Sequence, residues 1–253
     1  MADNSPNQTG VGLDHWGDQF PETHWSILVQ DEDRSISPQD REATFTALCT
    51  RYWYPLYAFL RKRGHSSADA QDLTQGFFAY LLSGERIANL DPAKGRFRSY
   101  LLGAMKHYLS DRRKFDQAEK RGGGKVPLSI ETDLAENRFQ QALSHDVSPE
   151  TLFDREWAST VLNDTASQLE REFTEQGKAN VFAEVGDYLF EKPPKGIYGE
   201  IAERLGMNEP NVRAIVSRMR KRYKAILRER IYATVDDEAK VDDEIQQLMS
   251  TFG

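Results

Sequence analysis

The sequence predicts an all-α fold of two small helical domains joined by a flexible linker. Three observations point there. Apolar residues recur at three- and four-residue spacing along most of the chain, as in helices buried on one face. Helix starts are marked at Ser37-Pro38, Ser148-Pro149 and Asn208-Glu209-Pro210, where a capping side chain precedes a proline in the first turn. With 39% hydrophobic and 29% charged residues, the 253-residue chain suits helical modules with exposed connectors better than one deep core.

Residues 1–36 read as an N-terminal arm. Residues 1–21 are polar and rich in Asn, Gly and Asp, and Thr23 then caps a short docking helix carrying Trp25, Ile27 and Leu28. The first domain spans 37–121. Its opening helix runs to about Arg63 and buries Phe45, Leu48, Tyr52, Leu56, Phe59 and Leu60, with Pro55 inside as a source of kinking and Gly64 as the stop. Ser66 or Ser67 caps a second helix. On it Leu73, Phe77 and Leu81 face the first helix, while Asp69, Asp72 and Gln75 recur along a polar side. In the third helix Phe97, Leu101, Met105 and Leu109 make a core stripe. Beside that stripe Arg96, Arg98, Tyr100, Lys106, Tyr108, Arg112, Arg113 and Lys114 mix cations with aromatics. Such a mixture suits unpaired DNA, because cations hold the backbone and rings stack on bases.

Residues 122–149 are polar and acidic, which suits a tether. Gly122-Gly123-Gly124 is not a phosphate loop, because Glu119 stands where the first glycine should be and Val126 where Ser or Thr would meet magnesium. The second domain covers 150–232. Leu152, Phe153, Trp157, Val161, Leu162 and Leu169 share the buried face of its first helix, Gly177 breaks the chain, and Val181, Phe182, Val185, Tyr188 and Leu189 continue as another helix. A helix-turn-helix follows. Ile201 and Leu205 line one helix, Gly206 is its C-cap, Asn208 caps the next, and Val212, Ile215, Val216, Met219 and Tyr223 form an apolar stripe. Asn211, Arg213, Ser217, Arg218, Arg220, Lys221 and Lys224 occupy the opposite face, with Asn211, Arg213, Ser217, Arg218 and Lys221 as base readers and Arg220, Arg222 and Lys224 meeting phosphates. Residues 233–253 are an acidic tail, whose Val241, Ile245 and Leu248 fit a short amphipathic helix folding back to shield the basic one.

Charge is segregated. Residues 192–230 hold 11 basic and 4 acidic residues, and 94–125 hold 10 and 3, in a chain whose net charge is −7. Two blocks of +7 inside an acidic protein point to a polyanion at those places. The single cysteine, Cys49, excludes an internal disulfide and fits a cytoplasmic setting. The five histidines lack ligand spacing, so no metal or other cofactor is expected. No secretory or membrane-spanning run is present, and no nucleophile–base set or acid pair suggests an enzyme.

Four motifs, YWYPLYAFLRKRG, DAQDLTQGFF, GRFRSYLL and YGEIAERLGMNEPNVRAIVSRMRKR, occur in that order, and together they resemble a bacterial RNA polymerase sigma factor of the extracytoplasmic-function type. The resemblance implies a protein that binds core RNA polymerase and promoter DNA. Residues 37–121 resemble sigma domain two and 150–232 sigma domain four. By the resemblance, Asp69, Asp72, Gln75 and Phe78 dock on polymerase. Arg96, Phe97, Arg98, Tyr100, Lys106, Tyr108, Arg112 and Arg113 capture the −10 element, and the helix-turn-helix reads the −35 element. The docking helix departs from the family in being less acidic, with Gln71 and Gly76 where Glu or Asp is usual. Phosphorylation of Thr74 would restore roughly −1.5 to −2 charge, so Thr74 is a candidate phosphosite for a Ser/Thr kinase, the alternative being an ordinary helix residue. A kinase or an anti-sigma factor is the regulatory partner in this reading, and the free protein is a monomer. The competing expectations are a free-standing helix-turn-helix regulator that dimerises through its first domain, and a protein that occupies polymerase without reading DNA.

Overall fold

The run YWYPLYAFL offers no polar face, and a helix apolar all round must be covered on every side. In the computed structural model, which describes residues 38–82, 96–115, 132–142, 147–235 and 237–252, that run is the centre of the molecule. It lies in α1 (Pro38–Lys62), and residues 52–60 are all buried. The helix continues through Pro55. The polypeptide then forms α2 (Ser67–Leu82), α3 (Phe97–Phe115), α4 (Thr132–Ala142) and α5 (Pro149–Glu175). Next come α6 (Ala179–Val185), a 3-10 turn at Gly186–Leu189, α7 (Ile197–Leu205) and α8 (Glu209–Tyr232). A second 3-10 turn, Glu238–Lys240, leads into α9 (Val241–Ser250). The described residues contain no strand, so the fold is all-α. The N-terminal arm with its Thr23 helix, most of the linker, and the side chains of Phe45, Leu48, Arg113 and Lys114 lie outside the described residues.

Several helix ends form as their residues dictate. The Ser66 hydroxyl accepts from the Asp69 amide at 3.1 Å and donates to its carboxylate at 2.7 Å, closing the start of α2. Ser148 accepts from the Thr151 amide, with Pro149 behind it. Gly206 ends α7 with φ +64°, and the Met207 amide reaches back to the Ala202 carbonyl at 2.8 Å. That bond and the one from the Gly206 amide to the Glu203 carbonyl make a Schellman ending, which a residue with a Cβ would strain.

Two expectations about organisation change. The first concerns separate domains on a tether. Helix α5 lies along α1, and the buried apolar residues from α1 to α9 form one continuous cluster. Tyr52 of α1 stacks on Trp157 of α5 at 6.5 Å and meets Phe97 of α3 edge-on at 5.4 Å. The physical reason is the all-apolar stretch 52–60, which two neighbouring helices cannot cover. The second concerns the linker. Residues 132–142 form α4, strapped to α1 by Arg61 and Tyr57, both bonded to Glu136 at 2.6–2.8 Å. On its other side Arg138 bonds the buried Glu156 of α5 at 2.8 Å and lies over the Tyr54 ring at 3.8 Å. Helix α5, about 40 Å long at 1.5 Å per residue, then carries the frame from α1 to α6 and α8.

Candidate nucleic-acid interface

Helix α8 buries Val212, Val216, Met219, Tyr223, Ile226, Leu227 and Ile231. This stripe fixes what faces outward. Asn211, Arg213, Ser217, Arg218, Lys221 and Lys224 are all exposed, on a helix whose start is capped by the Asn208 side chain accepting from the Asn211 amide at 2.9 Å. Lys192 and Lys195, just before α7, are also exposed. Arg213 is pre-set. Glu209 accepts from its Nε at 3.0 Å and from a terminal nitrogen at 2.5 Å, while its guanidinium stacks on the Tyr198 ring at 4.7 Å. The Tyr198 contact ties the two helices of the pair together across their turn.

Two cations expected at phosphates are committed elsewhere. Arg220 donates to the carbonyls of Tyr188 and Glu191 at 2.7–2.9 Å, holding the end of the 3-10 turn. Arg222 makes a two-pronged contact with Glu172 at 2.8 and 2.9 Å. The Arg222 guanidinium holds the Glu172 carboxyl below the usual carboxylate range. Both arginines therefore brace α8 against the rest of the molecule, a role that helical periodicity cannot distinguish from an outward one.

The cation-aromatic set of α3 divides into two ends. At the far end Tyr108 sits between Phe77 and Tyr80, with ring centroids 5.8 and 5.1 Å away, and Arg112 donates to its hydroxyl at 3.1 Å. Gly76 explains itself here. A Cβ at that position would lie 2.5 Å from the Tyr108 hydroxyl oxygen, so a carboxylate side chain has no room. Lys106 is exposed and pairs with Glu150 at 2.9 Å, which lowers the Glu150 carboxyl pKa.

At the near end the expectation of a DNA-facing surface is corrected. Phe97 and Arg98 are buried, and Tyr100 is half-buried against Phe97. Arg98 lies over Trp157 at 5.0 Å and donates to Glu244 at 2.7 Å, to Gln247 at 3.0 Å and to Asp154. Arg96 pairs with the same Glu244 at 2.5 Å. The acidic tail supplies this carboxylate and does not cover the outer face of α8. Its α9 packs on α8 near Arg228, which pairs with Asp242, and leaves the face from Asn211 to Lys224 exposed. Glu244, Gln247 and Asp154 escaped the sequence reading because their partner Arg98 lies 56 to 149 residues away.

On α2, Asp69 and Asp72 are exposed and Gln75 is half-buried. Two further assignments are corrected. Phe78 is only 1% exposed, packed in the core beside Phe77 at 5.7 Å, and offers nothing to a docking partner. Thr74 is fully buried, and its hydroxyl donates to the Ala70 carbonyl at 2.7 Å, so a kinase has no access to it in this fold. Cys49 is buried, which pushes its thiol pKa up. No group of His, Cys, Asp and Glu among the described residues could hold a metal ion, and no described helix is long and apolar enough to cross a membrane.

Residues 48–118, from α1 through α3, match the family model described as sigma-70 region 2. Neither a curated protein nor a solved structure matches the chain.

Proposed function

We propose that this chain is a member of the sigma-70 family that acts in the cytoplasm as an extracytoplasmic-function sigma factor, a monomer when free, that joins core RNA polymerase and directs it to promoters. The observation that carries the reading is the match of residues 48–118 to sigma-70 region 2, the segment through which such proteins bind polymerase and open promoter DNA. Within it the exposed Asp69 and Asp72, with Gln75 beside them, form the docking face. Tyr108, Arg112 and Lys106 remain placed to meet an opened strand. The pair α7–α8, read as a helix-turn-helix, supports duplex recognition at the −35 element, because its outer face is cationic and its inner face is fully occupied by core. Asn211, Arg213, Ser217, Arg218 and Lys221 then read bases, and Lys224 meets phosphate. Bond formation belongs to the polymerase, so this chain contributes no catalytic group.

The test is reconstitution. Purified core polymerase, this protein and a pool of promoter fragments should yield specific run-off transcripts that core polymerase alone does not make. Failure of the protein to co-elute with core polymerase, together with absence of transcripts, would overturn the proposal.

A further inference from the structure

We propose that Arg51 of α1, Arg171 of α5 and Arg230 of α8 form a receptor for the terminal phosphate of a small solute, at the place where these three helices meet. The proposal stands apart from the promoter reading. Arg51 Nε and a terminal nitrogen of Arg230 face the same atom, Oδ2 of Asp164, from 3.7 and 3.9 Å. Those separations are too long for hydrogen bonds, so one carboxylate is shared loosely between two cations. The side chains of Arg51 and Arg230 are only 18 and 16% exposed, and each holds a buried Nε with no hydrogen-bond acceptor. The other terminal nitrogen of Arg230 is engaged, donating to Gln168 at 2.7 Å and to the Asp164 carbonyl at 3.3 Å. Asp164, Gln168 and Arg171 follow at four- and three-residue spacing, which puts the exposed Arg171 on the same side of α5. Glu229, which also acts on Arg230, is paired with Arg222 at 3.5 Å.

Charge does not balance here. Burial lowers the Arg230 pKa, and Arg51 and Arg171 push the same way against Asp164. A guanidinium taken out of water without a well-bonded anion costs stability. A terminal phosphate answers that need, because it carries close to two charges and three strong acceptor oxygens that match the arginine fork. A phosphate inside a nucleic-acid strand fits less well. It carries one charge and is esterified on both sides, whereas two of the three guanidinium side chains lie mostly covered. A phosphate held here joins α1 to α5 and α8, so it favours the packed arrangement over any in which α1 separates.

The experiment uses the full chain without polymerase, in phosphate-free buffer. Isothermal titration with sodium phosphate and, separately, with ADP should show saturable binding to one site. Phosphate binding at least as tightly as ADP marks the free ion as the ligand, and tighter ADP binding marks a nucleotide. Arg51→Gln and Arg171→Gln should each weaken binding at least about tenfold. Asp164→Asn, which removes the competing carboxylate, should tighten it. Arg171 is exposed, so its variant decides the matter even if Arg51→Gln does not fold. The melting temperature should rise with phosphate more than with sodium chloride of equal ionic strength. No saturable binding of either probe, or a thermal shift matched by chloride, would overturn the proposal. So would affinity unchanged in Arg171→Gln or weakened in Asp164→Asn. Binding lost instead in Lys221→Ala would put the phosphate on the outer face of α8, and the proposal would fall.

Discussion

A hydroxyl or guanidinium assigned by helical position alone can face either way, and three residues show what decides it. Thr74 returns its hydroxyl to the Ala70 carbonyl inside the core. Thr74→Val should therefore cost at most about 1 kcal/mol, whereas Thr74→Glu, which leaves a buried carboxylate without a cation, should cost on the order of 3–5 kcal/mol. Thermal unfolding of the two variants checks this. Arg213 and Arg220 are seven positions apart on one helix, yet only Arg213 is exposed. Arg213→Ala should relax base preference by about 1–3 kcal/mol at one position of the bound site. Arg220→Ala should lower the melting temperature by stranding the Tyr188 and Glu191 carbonyls, at about 1–3 kcal/mol, and leave base preference unchanged. Selection from a random duplex pool, read beside a melting curve, separates the two.

The elements that were legible beforehand are those whose signals are local. The α7–α8 pair is written in Gly206, Asn208 and Pro210, each acting within four residues, and its apolar stripe needs no knowledge of what it packs on. Helix α4 shows the opposite case. TDLAENRFQQA reads as tether because its stabilising partners, Arg61, Tyr57 and Glu156, are remote in sequence. This strap has a pH signature. Arg61, the largest cause, holds the Glu136 carboxyl down to about 2. An ordinary glutamate titrates near about 4.3, so between those values the folded state binds fewer protons than the unfolded one. The stabilisation is complete above the upper value and is lost as pH falls through the lower. Glu136→Gln should flatten the acid limb of stability in that window, measured by urea unfolding at stepped pH.

For the whole molecule, one stretch packs the two expected modules against each other, and its signal was present in the sequence. Nine successive residues, 52–60, are buried, and a helix apolar on every side needs more neighbours than α2 and α3 supply. Composition averaged that demand away. The packing of α1 on α5 also places the surfaces proposed for strand binding and duplex reading on one frame. On the proposed function, reaching two separated DNA elements requires the frame to open when polymerase engages.

The stack of Tyr52 on Trp157 beneath the Arg98 guanidinium lies at the seam that would part. An indole enclosed there is an intrinsic optical gauge. Separation would bring water to its ring and move its emission to longer wavelength. Subtracting the spectrum of Trp157→Phe, to remove Trp16, Trp25 and Trp53, would let a stopped-flow trace time the parting in an unlabelled protein.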